Sequence, residues 1–319
     1  MLQALVSAAG WLVNELNGSL RWVRPAGPLA RETASGSRAF QPLRRVLLTD
    51  GGSRTLFEEY AAHRASARGE EETGWMLLGH REATEAVALA TLPAGTQREA
   101  GVAHIRFNST GQALGSRIVR KADRRLTILG LVHTHPGSLR HPSDGDFRGD
   151  RDWVGQLRGK EGIFGVGTAD RENDDSPAVL GRHPRPHVQT LGKLCLSWYS
   201  LRQGERAYRP LPVELVLGPD LARPLHSIWP VIEAHAEQLD RLARQQAGVA
   251  FELVTGRAGP ALAVTIPLAE PGDAIRVLIE GKEVCYILVR GGEYLTAEAR
   301  EDRIDHAVYL LLAEIAAKS

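Results

Sequence analysis

Four residues at fixed spacing, His133-x-His135-x7-Ser143-x-x-Asp146, carry the side chains most able to do chemistry in this chain. Neutral imidazole nitrogen and carboxylate oxygen are good zinc ligands, and a catalytic zinc takes three protein ligands and leaves one position for water. His133, His135 and Asp146 would supply the three. Each piece has a plainer reading. A lone His-x-His is usually an ordinary surface or core pair, and Ser143 with Asp146 reads as a helix cap and its first turn. The two readings of Asp146 are compatible, because a capped helix start would fix where its carboxylate points. A chance match to all four residue types at this spacing is roughly one in a thousand in a chain of this length.

Hydrolysis at such a site also needs a base, to take a proton from the attacking water and return it to the leaving amine. An upstream glutamate beside an apolar strand would serve, and Glu70-Glu71-Glu72-Thr73-Gly74-Trp75-Met76-Leu77-Leu78-Gly79 offers one. Glu-Thr-Gly, an apolar run ending in Leu-Leu-Gly, then His-Thr-His-Pro and Pro-Ser-x-x-Asp together resemble the JAB/MPN metalloproteases with their JAMM motif. The Pro142-Ser143 pair is more similar to the bacterial branch of that family. The resemblance implies that Glu72 is the catalytic glutamate, by its Thr-Gly neighbours; Glu70 and Glu71 read as a solvated acidic run. It spans roughly residues 42–217.

Those residues must be positioned by strands. Leu126–Val132 is an apolar run that delivers the histidines, and alternation puts side chains two apart on one face. Arg45–Thr49, Gly74–Gly79, Ala86–Leu92 and Gly162–Thr168 read as further strands, with a charged turn at His80–Thr84. Leu194–Leu201 and Tyr208–Leu217 look like a closing hairpin. Helices are expected over Thr55–Ala67, Gly115–Arg124 and Phe147–Leu157, a strand at His104–Phe107, and loops over Pro93–Gly101 and Asp170–His187. In the family that the chain resembles, this region lies beside the groove for the substrate's extended C-terminal tail, so the resemblance implies that Arg106, Arg117 and Arg120 could meet an acidic substrate surface, although such a set is more often a solvated helix face.

Three segments follow from this. Residues 1–41 hold a short amphipathic helix (Met1–Asn17) and a linker (Gly18–Phe40). Residues 42–217 hold the metalloprotease-like domain, for which the resemblance implies an α/β (α+β) fold, a cytidine-deaminase-like mixed sheet flanked by helices. Residues 218–319 read as a smaller α+β domain with no clustered His, Asp or Glu. It has a helix over Pro230–Gln246 and strands near Phe251–Val254, Leu262–Ile266, Ile275–Ile279 and Val284–Val289. Gly291-Gly292 is read as ending the strand set, and a helix runs over Thr296–Ala317.

Composition narrows the class. With 319 residues, 43% hydrophobic content and a net charge of +1, nothing suggests a broad nucleic-acid or anionic-membrane surface. Met1–Asn17 lacks a basic start and is short for a membrane span. Cys195 and Cys285 lie far apart in apolar runs and read as buried thiols, so a cytoplasmic protein without disulfides is expected. His141 reads as an exposed loop residue, and His63, His80, His104, His183, His187, His226, His235 and His306 as structural.

The resemblance implies one Zn2+ per site and cleavage of a peptide or isopeptide bond after the C-terminal glycine of a ubiquitin-like protein, which would be the partner, in company with E1- and E2-like enzymes. Ser143 would then donate to the developing oxyanion, a contact typically contributing ~2.7–4 kcal/mol. Two alternatives stay open. One is trimming of a ubiquitin-fold sulfur carrier; the other is a non-catalytic MPN scaffold.

Overall fold

The computed structural model describes residues 39–96, 99–100, 105–169, 185–257, 259–298 and 301–318. The helix and linker expected in residues 1–38, His104, His183 and most of the loop at 170–187 lie outside them. The chain divides into two compact units, and the division falls after Trp229. Residues 218–229, which the sequence reading gave to the second domain, therefore group with the first.

In the first unit, Arg45–Thr49 (β1), Gly74–Arg81 (β2), Glu85–Pro93 (β3), Thr127–Thr134 (β6), Glu161–Thr168 (β7), Val188–Leu191 (β8), Leu194–Arg202 (β9), Arg209–Pro210 (β10) and Val213–Val216 (β11) form one mixed sheet; Glu99–Ala100 (β4) and Ile105–Arg106 (β5) pair separately. The order is β10-β9-β7-β6-β2-β3-β1-β11, with β8 on β9. The pairs β6/β7, β1/β3 and β1/β11 are parallel, and β2 runs antiparallel to β6 and β3. Every residue of β7 is buried, as expected for a strand covered on both faces.

Helices α1 (Asp50–Arg64), α2 (Ser109–Val119) and α3 (Asp144–Trp153) flank the sheet, with the short α4 (Arg223–His226) near the end of the unit. Their N-termini are set by side-chain caps. Thr49 accepts from the amide of Gly52, Asn108 from Gly111 and Ser143 from Asp146. The first two helices thus begin five or six residues before the apolar periodicity shows itself, at Asp50 and Ser109 rather than at Thr55 and Gly115.

The pairing β2/β6 and β2/β3 slips by one residue at Leu77/Leu78 and Leu78/Gly79. The backbones approach so closely there that a Cβ on Gly79 would lie 1.8 Å from the Val87 carbonyl oxygen, and one on Gly130, at φ 153°, 1.8 Å from that of Ile163. The glycine of the Leu-Leu-Gly run is thus a packing requirement of a bulge in the same central strands, toward the end away from His133.

The expected closing hairpin is corrected. Only Arg209–Pro210 pairs with β9; the chain then crosses to the far edge, where β11 lies parallel to β1. Pro210 and Pro212 remove two amide donors and break the run, and the partner of β11 is remote in sequence.

The second unit is an antiparallel meander, Ala250–Thr255 (β12), Pro260–Pro267 (β13), Ala274–Glu280 (β14), Glu283–Arg290 (β15) and Glu293–Ala297 (β16), with helices α5 (Trp229–Gln245) and α6 (Ile304–Lys318). Gly291 and Gly292, at φ 57° and 84°, form a tight hairpin turn leading into β16 and do not end the set. The last helix begins at Ile304, its amide donating to Gln238 of α5. Cys285 is exposed, contrary to the reading of both cysteines as buried, because it lies on a sheet face that alternates away from the core. Among the described residues, no helix is long and apolar enough to cross a membrane.

Candidate metal centre

His133 is the penultimate residue of β6, and His135 lies just beyond its end. Both are nonetheless held as strand. Gly74 pairs with His133 on one side and Val166 on the other, the Thr134 amide donates to the Thr73 carbonyl at 2.9 Å, and the His135 amide donates to Gly167 at 2.8 Å. The two imidazoles therefore project from the same face at the carboxyl ends of the parallel pair β6/β7. Both are buried, at 2% and 6% exposure.

Asp146 reaches them from α3. Ser143 and Asp146 form a capping box in which the Ser143 amide donates to Asp146 Oδ2 at 2.6 Å and the Asp146 amide donates to Ser143 Oγ at 3.2 Å. That fixes the carboxylate rotamer and turns Oδ2 toward the histidines. Oδ2 lies 3.5 Å from each Nε2, and the two Nε2 atoms lie 3.0 Å apart. The cap and the ligand set thus use the same oxygen.

The donor set fits zinc. Ligand atoms on a tetrahedral zinc at its usual bond lengths lie about 3.4 Å apart, close to the three separations here. The His135 Nδ1–H donates to the Leu139 carbonyl at 2.7 Å, which leaves the Nε2 lone pair facing the other donors. Two such lone pairs at 3.0 Å call for a positive charge between them. The protonation preferences agree. Burial disfavours a charged His135, yet Asp146, the Leu139 carbonyl and the charge of Glu72 raise its pKa above the ordinary value. Burial likewise opposes a charged Asp146, but His133, His135 and Ser143 hold its carboxyl far below the usual range. Among the described residues, this trio is the set of three or more His, Cys, Asp and Glu placed to hold a metal ion.

Glu72 lies two residues before β2 and is 3% exposed. Its neighbour Thr73 receives the Thr134 amide and donates its own amide to Thr134 Oγ1 at 3.0 Å, so the residue between the two histidines anchors the approach of Glu72. The glutamate's charge acts on His135. Glu70 and Glu71 instead pair with Arg64 and Arg68 on the outside, as an acidic surface run does.

All five sequence candidates therefore gather at one end of the central strands. Ser143 stands differently from its expected role, since its hydroxyl donates to Asp146 at 2.7 Å and would have to turn to meet an oxyanion. His141 is exposed and outside the set. Other contacts carried no local signal. The Tyr199 hydroxyl donates to the Arg140 carbonyl at 2.8 Å and pins the loop that receives His135. Buried Asp150, one turn after Asp146, accepts from Tyr208 and Trp153; burial pushes its carboxyl up to about 6.

Residues 53–177 match the model of the family described as prokaryotic homologs of the JAB domain. The JAB family includes zinc metalloproteases as well as scaffold proteins. Among solved structures, the chain is similar to the solution structure of protein DSY2949 from Desulfitobacterium hafniense, at 14% identity and a TM-score of 0.36 over 55% of this chain and 94% of that one. No curated protein matches the chain.

Proposed function

We propose that this protein is a zinc-dependent peptidase or isopeptidase that cuts after the C-terminal glycine of a ubiquitin-like protein. The observation that carries the reading is the mutually facing trio of buried His133 and His135 with half-buried Asp146, and Glu72 beside it. A scaffold has no physical need to bring three ligand atoms together in this way. His133, His135 and Asp146 would hold the ion, which when bound acidifies a water and polarises a carbonyl. Glu72, buried and close enough to act on His135, accepts the water's proton and returns it to the departing amine. Ser143 steadies Asp146 through the cap and is the side chain placed to turn toward the developing oxyanion. Of the five, none is an activated nucleophile, so the bond breaks without a covalent enzyme intermediate.

The substrate assignment is supported by the family and by the whole motif, and is tested by products. Ubiquitin-like fusions incubated with the zinc-loaded protein, followed by mass spectrometry, should give one cut directly after the terminal glycine. Chelation should abolish it and zinc restore it. Cleavage indifferent to chelation, or none by the zinc-loaded protein, would overturn the reading.

A further inference from the structure

His135 owes its tautomer to a carbonyl that no regular element holds. Residues 136–142 belong to no helix or strand, and Leu139, whose carbonyl takes the His135 Nδ1–H at 2.7 Å, has an exposed side chain. A neutral imidazole carries its one proton on either nitrogen, so Nε2 keeps a lone pair for a metal only while that acceptor stays in place. The next carbonyl along the chain, that of Arg140, is held from outside the loop. Tyr199 of β9 donates to it at 2.8 Å.

Sheet register puts Tyr199 within reach. Val166 pairs with His133 on one side and with Ser197 on the other. Tyr199, two residues past Ser197, therefore projects from the face that carries His133. It is buried, and its ring meets that of Tyr208 edge-on at 6.4 Å. Tyr208 also packs edge-on against Phe164, the residue paired with Tyr199, at 5.4 Å and against Phe147 at 5.9 Å. Its hydroxyl donates to Asp150 of α3 at 2.7 Å. The tyrosines are neighbours because Pro210, two residues after Tyr208, pairs with Tyr199. One aromatic pair thus grips both stretches that bring ligands to the site, the loop behind His135 and the helix that carries Asp146.

We infer that Tyr199 is a positioning residue of the metal centre, acting through the Arg140 carbonyl to keep the Leu139 carbonyl on His135 Nδ1, an assignment that rests on His133, His135 and Asp146 being metal ligands and not on hydrolysis. Tyr208 backs it by fixing its ring and by holding α3 at Asp150. A tyrosine that served the fold alone would cost stability when trimmed and leave the ligand field as it was.

The test is metal binding by the full-length protein with no substrate present. Tyr199→Phe removes only the hydroxyl and keeps the ring in its cluster, so circular dichroism should stay native. Zinc affinity, from competition with a chromophoric chelator, should fall by about tenfold, the low end of what losing an outer hydrogen-bond partner of a ligand costs. The visible absorption of the cobalt-loaded protein should shift, because the ligand field follows the aim of His135. Tyr309→Phe, which removes a hydroxyl bonded to Gln245 in the second unit, should change neither. An unchanged cobalt spectrum or an unchanged zinc affinity in Tyr199→Phe would overturn the inference, as would equal losses in Tyr309→Phe. A wild type that binds neither zinc nor cobalt would sink the ligand reading itself; tight binding by wild type and Tyr199→Phe alike would sink this inference alone.

Discussion

Two clusters of buried charge lie at opposite ends of the same central strands, and they are built differently. At one end, Glu161 opens β7 and Arg81 closes β2, with side chains 0% and 1% exposed. Glu161 accepts from Arg81 at 3.1 Å, from Arg209 at 2.7 Å and from the Leu43 amide at 2.8 Å, while Arg81 also donates to the carbonyls of Gln41 and Glu82. Opposite charges meet and the cluster is closed. At the other end, His133, His135 and Asp146 bring three possible ligand atoms together with Glu72 nearby and no lysine or arginine in the set. The contrast separates a structural ion network from a ligand set. The first supplies its own cation, and the second is complete only with one from outside.

Substitutions should divide along that line. His133→Ala is expected to have the largest effect, taking bound zinc from one equivalent to nearly none and abolishing cleavage, while circular dichroism stays native. Glu161→Ala should do the reverse. Leaving Arg81 buried without its partner should cost about 3–5 kcal/mol in denaturant titration, with zinc stoichiometry unchanged in the folded fraction. Ser143→Ala touches both properties, since it loses a cap worth about 1 kcal/mol and a supporting bond to a ligand, so zinc affinity should drop about tenfold or more.

A smaller effect concerns a third buried group, closed like the first. His226 lies between the Glu59 carboxylate and the Thr91 carbonyl, both acceptors. Burial opposes its charge, but the bond to Glu59, the charges of Glu59 and Asp220 and the Thr91 carbonyl together outweigh it and raise its pKa. A raised folded pKa means that the stabilisation is fully present below the unfolded value of about 6.5 and is lost as pH rises through the folded value. The melting-temperature gap between wild type and His226→Gln should therefore be widest at about pH 6 and close at alkaline pH. A gap constant with pH would contradict the imidazolium.

What could be read from the sequence was local. His-x-His on an apolar strand, Ser-x-x-Asp as a cap, and the glutamate before Thr-Gly are each set within a few residues, and all five side chains do gather. Most strands of both units were also legible from apolar runs. The misses are nonlocal or lie where apolar periodicity is silent. The crossing of β11 to β1 depends on a partner about 170 residues away. The capped starts at Thr49 and Asn108 precede any apolar stripe. Strand β16, Glu-Tyr-Leu-Thr-Ala, is too polar on its open side to announce itself. The carbonyl of Leu139 has no side-chain signature, yet it decides which imidazole nitrogen of His135 faces the site.

The most direct measurement compares zinc-loaded wild type with Glu72→Gln on one ubiquitin-like fusion, each checked for its metal content. The amide keeps the shape of the side chain and removes the base. Equal zinc in both proteins, with cleavage slower in the variant by roughly 10²–10⁴-fold, is the expected result. Equal rates at equal zinc would show that Glu72 moves no proton and that the account of this site is wrong.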